Sequence, residues 1–203
     1  MIELTRASFQ YENSDRGVQD ISLSVKSGEC VVLTGLSGCG KTTVTRLVNG
    51  LAPSYYPGAF SGSARIDGKD ISRLSTWEIG RLVGSVFQDP KMGTASRLTI
   101  EENMAIAYRR GLSRGLSWGV KDNERQIFQE SLKELGLGLE NRLKVDTQFL
   151  SGGQRQALTL LMAALVKPKL LLLDEHTAAL DPKTSDMVME LTKKIVESHQ
   201  LTT

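Results

Sequence analysis

The sequence predicts an α/β fold: a sheet core of parallel type, an antiparallel β portion at the start, and a helical insert. Three observations carry this. A glycine-rich loop, GLSGCGKTT (Gly35 to Thr43), separates an apolar strand-like run from a helix. Later, LLLLDE (Leu170 to Glu175) is too apolar for a surface strand and reads as a buried parallel one. Between them, from Thr99 to Leu137, the texture turns helical, with Ile127, Leu132 and Leu135 at helical spacing in ERQIFQESLKELG. A chain of 203 residues is long enough for one well-buried domain, with or without an inserted subdomain.

Taken in order, IELTRASFQY and VQDISLSV alternate and are expected to pair as antiparallel edge strands, leading into ECVVLTG as a buried strand. A helix is expected from about Lys41 to Asn49, followed by APSYYPGAFSG, which is dense in turn formers. SARIDG and VGSVFQ read as short strands, and IEENMAIAYRR as a helix of the insert. LTLLMAALV continues a helix that LSGGQRQ opens, KLLLLDE follows as a strand, and Pro182 starts the last helix, PKTSDMVMELTKKIVES. The expected division is a core of about residues 1–89 and 167–203 around a helical subdomain of about 90–166.

The 25 basic and 23 acidic side chains nearly cancel, so no global field argues for nucleic acid or an anionic membrane. Cys30 and Cys39 lie close together in a chain without a signal segment at its start, and are read as reduced cytosolic thiols. The longest apolar runs, such as Ala157 to Val166, fall short of the ~18 residues a membrane span needs.

The loop from Gly35 to Thr43 matches G-x-x-x-x-G-K-S/T in its proper context, after a strand and opening a helix. Its members Gly35, Leu36, Ser37, Gly38, Cys39, Gly40, Lys41, Thr42 and Thr43 are the candidate ATP contacts. Gly38 and Gly40 let the backbone curl so that N–H groups point at phosphate oxygens, helped by the helix N-terminus. Lys41 is expected to reach the β- and γ-phosphates, and the Thr42 hydroxyl to meet Mg²⁺. In an open α/β sheet, ligands sit at the C-terminal ends of strands, where LLLLDE places Asp174 and Glu175. Asp174 is the candidate Mg²⁺ ligand through water, and Glu175 the candidate general base. Read alone, this pair is as well explained by a solvated acidic strand end.

With LSGGQ (Leu150 to Gln154) added, the chain resembles over essentially its whole length the ATP-binding-cassette ATPases, the nucleotide-driven subunits of membrane transporters. The resemblance implies a P-loop NTPase (RecA-like) core. It also implies a dimer, homomeric or heteromeric, in which Ser151, Gly152, Gly153 and Gln154 contact the γ-phosphate on the opposite subunit's loop. By the same resemblance, Tyr11 stacks on adenine, with packing under a hairpin as its alternative and Phe9 a weaker candidate. Gln88 in VFQDP contacts Mg²⁺ and the attacking water. Asp181 in AALDP lies on a loop that crosses to the partner, and is also placed to cap the helix that starts at Pro182. The implied partners are a second cassette subunit and a membrane permease or energy-coupling subunit, at the inner face of the cell membrane, and no nucleic acid.

Two departures stand out. His176 gives DEHT where many relatives carry proline, and is read as a local packing substitution rather than a catalytic group. The resemblance also implies a strand and a γ-phosphate-sensing histidine after the last helix; His199 comes too early for that role. The first half, with LVNGLAPSYYPGAFSGSARIDGKDIS, is similar to ATPases of energy-coupling-factor importers. The second half is similar to those of binding-protein-dependent importers, and import is favoured over export. Two other classes compete. Soluble cassette ATPases of DNA repair or translation need long coiled coils or tandem cassettes, for which the insert between Gln88 and Leu150 leaves no room. A P-loop kinase leaves LSGGQ unexplained.

Overall fold

The computed structural model describes residues 1–112 and 119–203. These form two compact units: Met1–Ser85 with Lys169–Leu172 and Gln200–Thr203, and Val86–Pro168 with Leu173–His199.

In the first unit, β1 (Ile2–Tyr11) and β2 (Gly17–Val25) pair antiparallel, as their alternation predicts, from Ile2 opposite Val25 to Gln10 opposite Gly17. Along β1 the buried set changes phase, from Ile2 and Leu4 to Ala7 and Phe9. The register shifts at the same place and Arg6 takes a φ of 47°, so a bulge reverses which side chains face inward. Next come α1 (Lys41–Val48), the short α2 (Leu51–Ser54), β3 (Gly58–Ile66) and β4 (Lys69–Asp70), giving a sheet of order β2-β1-β3-β4. Of APSYYPGAFSG, which is dense in turn formers, Ala52 to Ser54 fall in α2 and only Tyr55 to Pro57 lie in a turn or irregular backbone. From Gly58 onward the chain is a strand, because pairing with β1, Tyr11 opposite Gly58 and Phe9 opposite Phe60, overrides local turn propensity. A helix, α3 (Thr76–Leu82), then leads into β5 (Val83–Val86). Phe9, Ile66, Leu47, Ile79 and Leu170 share one core.

The second sheet pairs β5 with β6 (Leu170–Leu173). Leu171 also donates its N–H to the Thr202 carbonyl at 2.8 Å. Thr203 in turn accepts from Val31 at 2.8 Å and donates to Glu29 at 2.9 Å. The expected buried strand ECVVLTG is corrected here: residues 29–35 carry no regular structure, and Val32 and Leu33 are 77% and 41% exposed. A strand exists only where a neighbour completes its ladder, and among the described residues that ladder stops at Val31.

The second unit holds α4 (Ile100–Tyr108), α5 (Asp122–Lys133), α6 (Gly152–Ala164) and α7 (Pro182–His199), matching the helical texture read from the sequence. Ile100, Met104, Phe128, Leu132, Leu158 and Leu160 are fully buried. Every residue of α6 from Arg155 to Ala164 is buried, which explains why the run from Ala157 to Ala164 is apolar but for Thr159 instead of apolar on one stripe. Two ion pairs join α4 to α5 at largely buried carboxylates: Arg109 to Glu124 at 2.8 Å and Arg125 to Glu101 at 2.7 Å.

α4 begins with a capping box. Thr99 Oγ1 accepts from the Glu102 N–H at 3.3 Å, and the Glu102 carboxylate accepts from the Thr99 N–H at 2.8 Å. That backbone bond is the main reason the Glu102 carboxyl sits below its ordinary 4.5. A carboxylate with a depressed folded-state pKa stabilises fully above its unfolded value, and this contribution is lost as pH falls through the folded value. Thr99→Ala should cost about 1 kcal/mol near neutral pH. In thermal melts from neutral to acidic pH, the stability advantage of the parent over Glu102→Gln should shrink below pH 4.5.

Candidate functional site

The phosphate loop is built in the first unit. Gly40 is the N-cap of α1 with a φ of 102°, a left-handed conformation that favours glycine. A Cβ there would also stand 2.5 Å from Val18 Cγ1 on β2, so a side chain at this position would have to displace the Val18 methyl group. Lys41 reaches back over the loop, donating from Nζ to the carbonyls of Gly35 at 2.9 Å and Leu36 at 3.2 Å. Its ammonium is therefore held against the backbone of the loop. No side chain caps the start of α1. Its first N–H groups thus lack the partner that a serine or threonine would supply. Thr42 is exposed and Thr43 buried.

Tyr11 is half-buried at the end of β1. Its hydroxyl lies 3.3 Å from Thr43 Oγ1 and accepts from Arg46 Nη1 at 3.0 Å. Phe9 and Tyr56 meet it edge-on, and the Arg46 guanidinium sits 4.2 Å over the Tyr56 ring. Cys30 and Cys39 are free thiols, both exposed.

The remaining candidates lie in the second unit. Asp174 and Glu175 follow β6 directly, and the Asp174 N–H extends the β5–β6 pairing by donating to the Val86 carbonyl at 3.0 Å. Glu175 is exposed and takes a φ of 45°, rare for a residue with a side chain. The turn is closed by the Ala178 N–H donating to the Glu175 carbonyl at 2.9 Å. His176 faces the other way: it is 6% exposed, with Nε2 lying 3.0 Å from Thr192 Oγ1 on α7. Burial pushes its pKa below the ordinary 6.5, so the ring is neutral near pH 7. Gln88 is exposed in the bend after β5.

LSGGQ starts α6, and its geometry shows what the sequence reading missed. Ser151 and Gln154 form a capping box: Ser151 Oγ accepts from the Gln154 N–H and Gln154 Oε1 accepts from the Ser151 N–H, both at 3.2 Å. The signal was present as S-x-x-Q ahead of an apolar run. The two glycines differ. Gly152 is exposed, whereas a Cβ on buried Gly153 would stand 2.3 Å from Thr184 Cγ2 on α7. Asp181 Oδ1 accepts from the Thr184 N–H at 3.1 Å, the capping role expected of it. Gln156, also overlooked, donates from Nε2 to the Phe87 carbonyl at 3.1 Å and so holds the backbone next to Gln88.

An uncapped helix behind a glycine loop, on an α/β scaffold, defines a class: ATP-binding proteins of the phosphate-loop type. The family follows from direct comparison. The ABC transporter family matches residues 18–178, and the chain belongs to it as an ABC-type ATPase. It is 39% identical over 185 residues to a tyrosine transport ATP-binding protein of Clostridioides difficile, covering 91% of this chain and 71% of that one. It is 36% identical over 210 residues to the phosphonates import ATP-binding protein PhnC of Alcaligenes faecalis, again covering 71% of the relative. Of an ABC transporter ATP-binding protein of Methanosarcina acetivorans, 34% identical, the chain spans only 31%. Among solved structures, it superposes on a dimeric ATP-binding cassette in a post-hydrolysis state with ADP and Pi. The TM-score is 0.79 at 27% identity, covering 100% of this chain and 85% of that one. It also superposes on cbiO1 of Clostridium perfringens, part of the ABC transporter complex cbiONQ, with a TM-score of 0.78 at 25% identity, covering 99% of this chain and 75% of that one.

The packing of Gly153 gives a test independent of nucleotide. Gly153→Ala should destabilise by about 1–3 kcal/mol through overpacking against Thr184, while Gly152→Ala, on the exposed side, should cost far less. Thr184→Ser, which removes the methyl group in conflict, should restore most of the loss in the Gly153→Ala background. Denaturant melts of the parent and these three variants decide this; equal effects at the two glycines would contradict it.

Proposed function

We propose that the chain is the ATP-hydrolysing subunit of an ABC importer, in which ATP closes two cassette subunits on each other and hydrolysis reopens them. The observation that carries this is the start of α1: N–H groups without a side-chain cap, with the Lys41 ammonium folded along the same loop. Phosphate supplies the acceptors that such donors lack. Gly35 to Thr43 would then cradle the phosphates. Tyr11, its hydroxyl fixed by Arg46 and Thr43, would offer adenine an oriented ring.

The remaining roles are those the family resemblance implies, and the side-chain chemistry suits them. Thr42, Gln88 and Asp174 supply hydroxyl, amide and carboxylate oxygens, the hard donor set that suits Mg²⁺, which would neutralise phosphate charge. Glu175, carboxylate exposed, is the group to take a proton from water. Ser151 uses its oxygen as acceptor within the capping box and keeps its hydroxyl hydrogen for an anion. With the amides of Gly152 and Gly153, and with Gln154, it would complete the site of a second subunit, identical or different, towards which Asp181 would cross.

Import is favoured by the relatives, one named for phosphonates import and another for tyrosine transport. Among the described residues no helix is long and apolar enough to cross a membrane, so the membrane path would come from a permease or energy-coupling partner. The cassette would dock on its inner face.

Lys41→Ala should abolish ATP binding by removing the charge on the phosphates. Glu175→Gln should bind ATP normally, lose about 10²- to 10⁴-fold in turnover and accumulate as an ATP-bound dimer. Ser151→Arg should keep monomer affinity for ATP but fail to dimerise. ATP titration and gel filtration with ATP and Mg²⁺ separate these outcomes. A Glu175→Gln protein that still turns over ATP would remove the base from Glu175, and loss of monomer affinity in Ser151→Arg would place the serine in its own subunit's site.

A further inference from the structure

We infer that His176 is a positioning residue for Glu175, fixing through its hydrogen bond to Thr192 the turn that sets where the Glu175 carboxylate points. The inference rests on the assignment of Glu175 as general base. Glu175 holds a left-handed backbone conformation, φ 45°, that a side-chain-bearing residue keeps only where its surroundings over-determine it. One restraint is local, the Ala178 N–H to Glu175 carbonyl bond that closes the turn. The other is His176 itself, which is held at its far end by α7.

The direction of that bond is set by the groups around it. The Thr192 hydroxyl donates to the Val188 carbonyl at 2.8 Å, one turn back along α7. Its oxygen is therefore the acceptor for His176 Nε2–H at 3.0 Å, which makes Nε2 the protonated nitrogen of a neutral ring. Thr192 is 6% exposed and Val188 fully buried, so both ends of the relay lie in packed helix rather than at a mobile surface. A buried donor that lost this acceptor would have to move to find another, and Glu175, bonded directly to His176, would move with it. Misplacement of a reacting group by about 1 Å costs on the order of 100-fold in rate, so a small movement of this turn is sufficient to matter.

Two substitutions at Thr192 separate positioning from packing. Thr192→Val keeps the volume and removes the hydroxyl; Thr192→Ser keeps the hydroxyl and removes a methyl group. Thr192→Val should lower kcat for ATP about 10- to 100-fold, with KM within about twofold of the parent. It should also speed amide hydrogen exchange at Ala178 about tenfold or more, without changing that at Ser185 on α7. Thr192→Ser should match the parent in all three. The inference is overturned if Thr192→Val leaves Ala178 exchange unchanged, if Thr192→Ser behaves like Thr192→Val, or if exchange rises equally at Ser185, which would mean general loosening of α7. Glu175→Gln measured alongside keeps the two readings apart: full turnover there removes the base assignment, while Ala178 exchange still decides whether His176 fixes the turn.

Discussion

The N–H groups at a helix start have no partner within the helix, and the start of α1 meets that constraint differently from the starts of α3, α4 and α6. α3, α4 and α6 satisfy theirs with capping boxes, Ser75 with Glu78, Thr99 with Glu102 and Ser151 with Gln154. α1 alone among these four starts at a glycine without a side-chain cap. A cap there would occupy the donors that a phosphate needs. Leaving them open costs little while they face water, because water supplies the missing acceptor until an anion replaces it.

α6 meets the same constraint in a different way, with consequences for how LSGGQ works. Its serine is committed as an acceptor to the Gln154 N–H, which leaves its hydroxyl hydrogen uncommitted beside the amides of Gly152 and Gly153. Gly153 is committed to packing. Its missing side chain admits Thr184, whose N–H is capped by Asp181, so the start of α7 is seated against the start of α6.

Most of the architecture was legible because each element is marked locally. The alternation of β1 and β2, the glycines around Lys41, the four leucines of β6 and the proline opening α7 are signals within a few residues of what they specify. What escaped depends on partners distant in sequence. Nothing within ECVVLTG shows that Glu29 and Val31 bond to the backbone of Thr203, far along the chain. Pairing with β1 makes a strand of Gly58 to Gly62, whose composition signals turns. The unequal glycines of LSGGQ are distinguished by a threonine 31 positions away. The capping box was the exception, visible in the sequence but hidden behind the glycine pair, which drew the reading toward a ligand first.

The irregular run of residues 29–35 also fixes which contacts must shape the phosphate loop. A loop that follows a fully paired strand takes its position from the sheet. Among the described residues, Val31 is the last before Gly35 with a backbone partner, Thr203. The loop is instead held from its helical side: Gly40 lies against Val18, Lys41 bridges to the carbonyls of Gly35 and Leu36, Val44 donates to Gly40, and Thr43 meets the Tyr11 hydroxyl. All four anchors are in the first unit, and two of them, Tyr11 and Val18, belong to the antiparallel sheet. That sheet, besides carrying Tyr11, therefore bears on the loop itself. Through β1 and β2 it sets the position of α1, and so the aim of the open N–H groups on which the site depends.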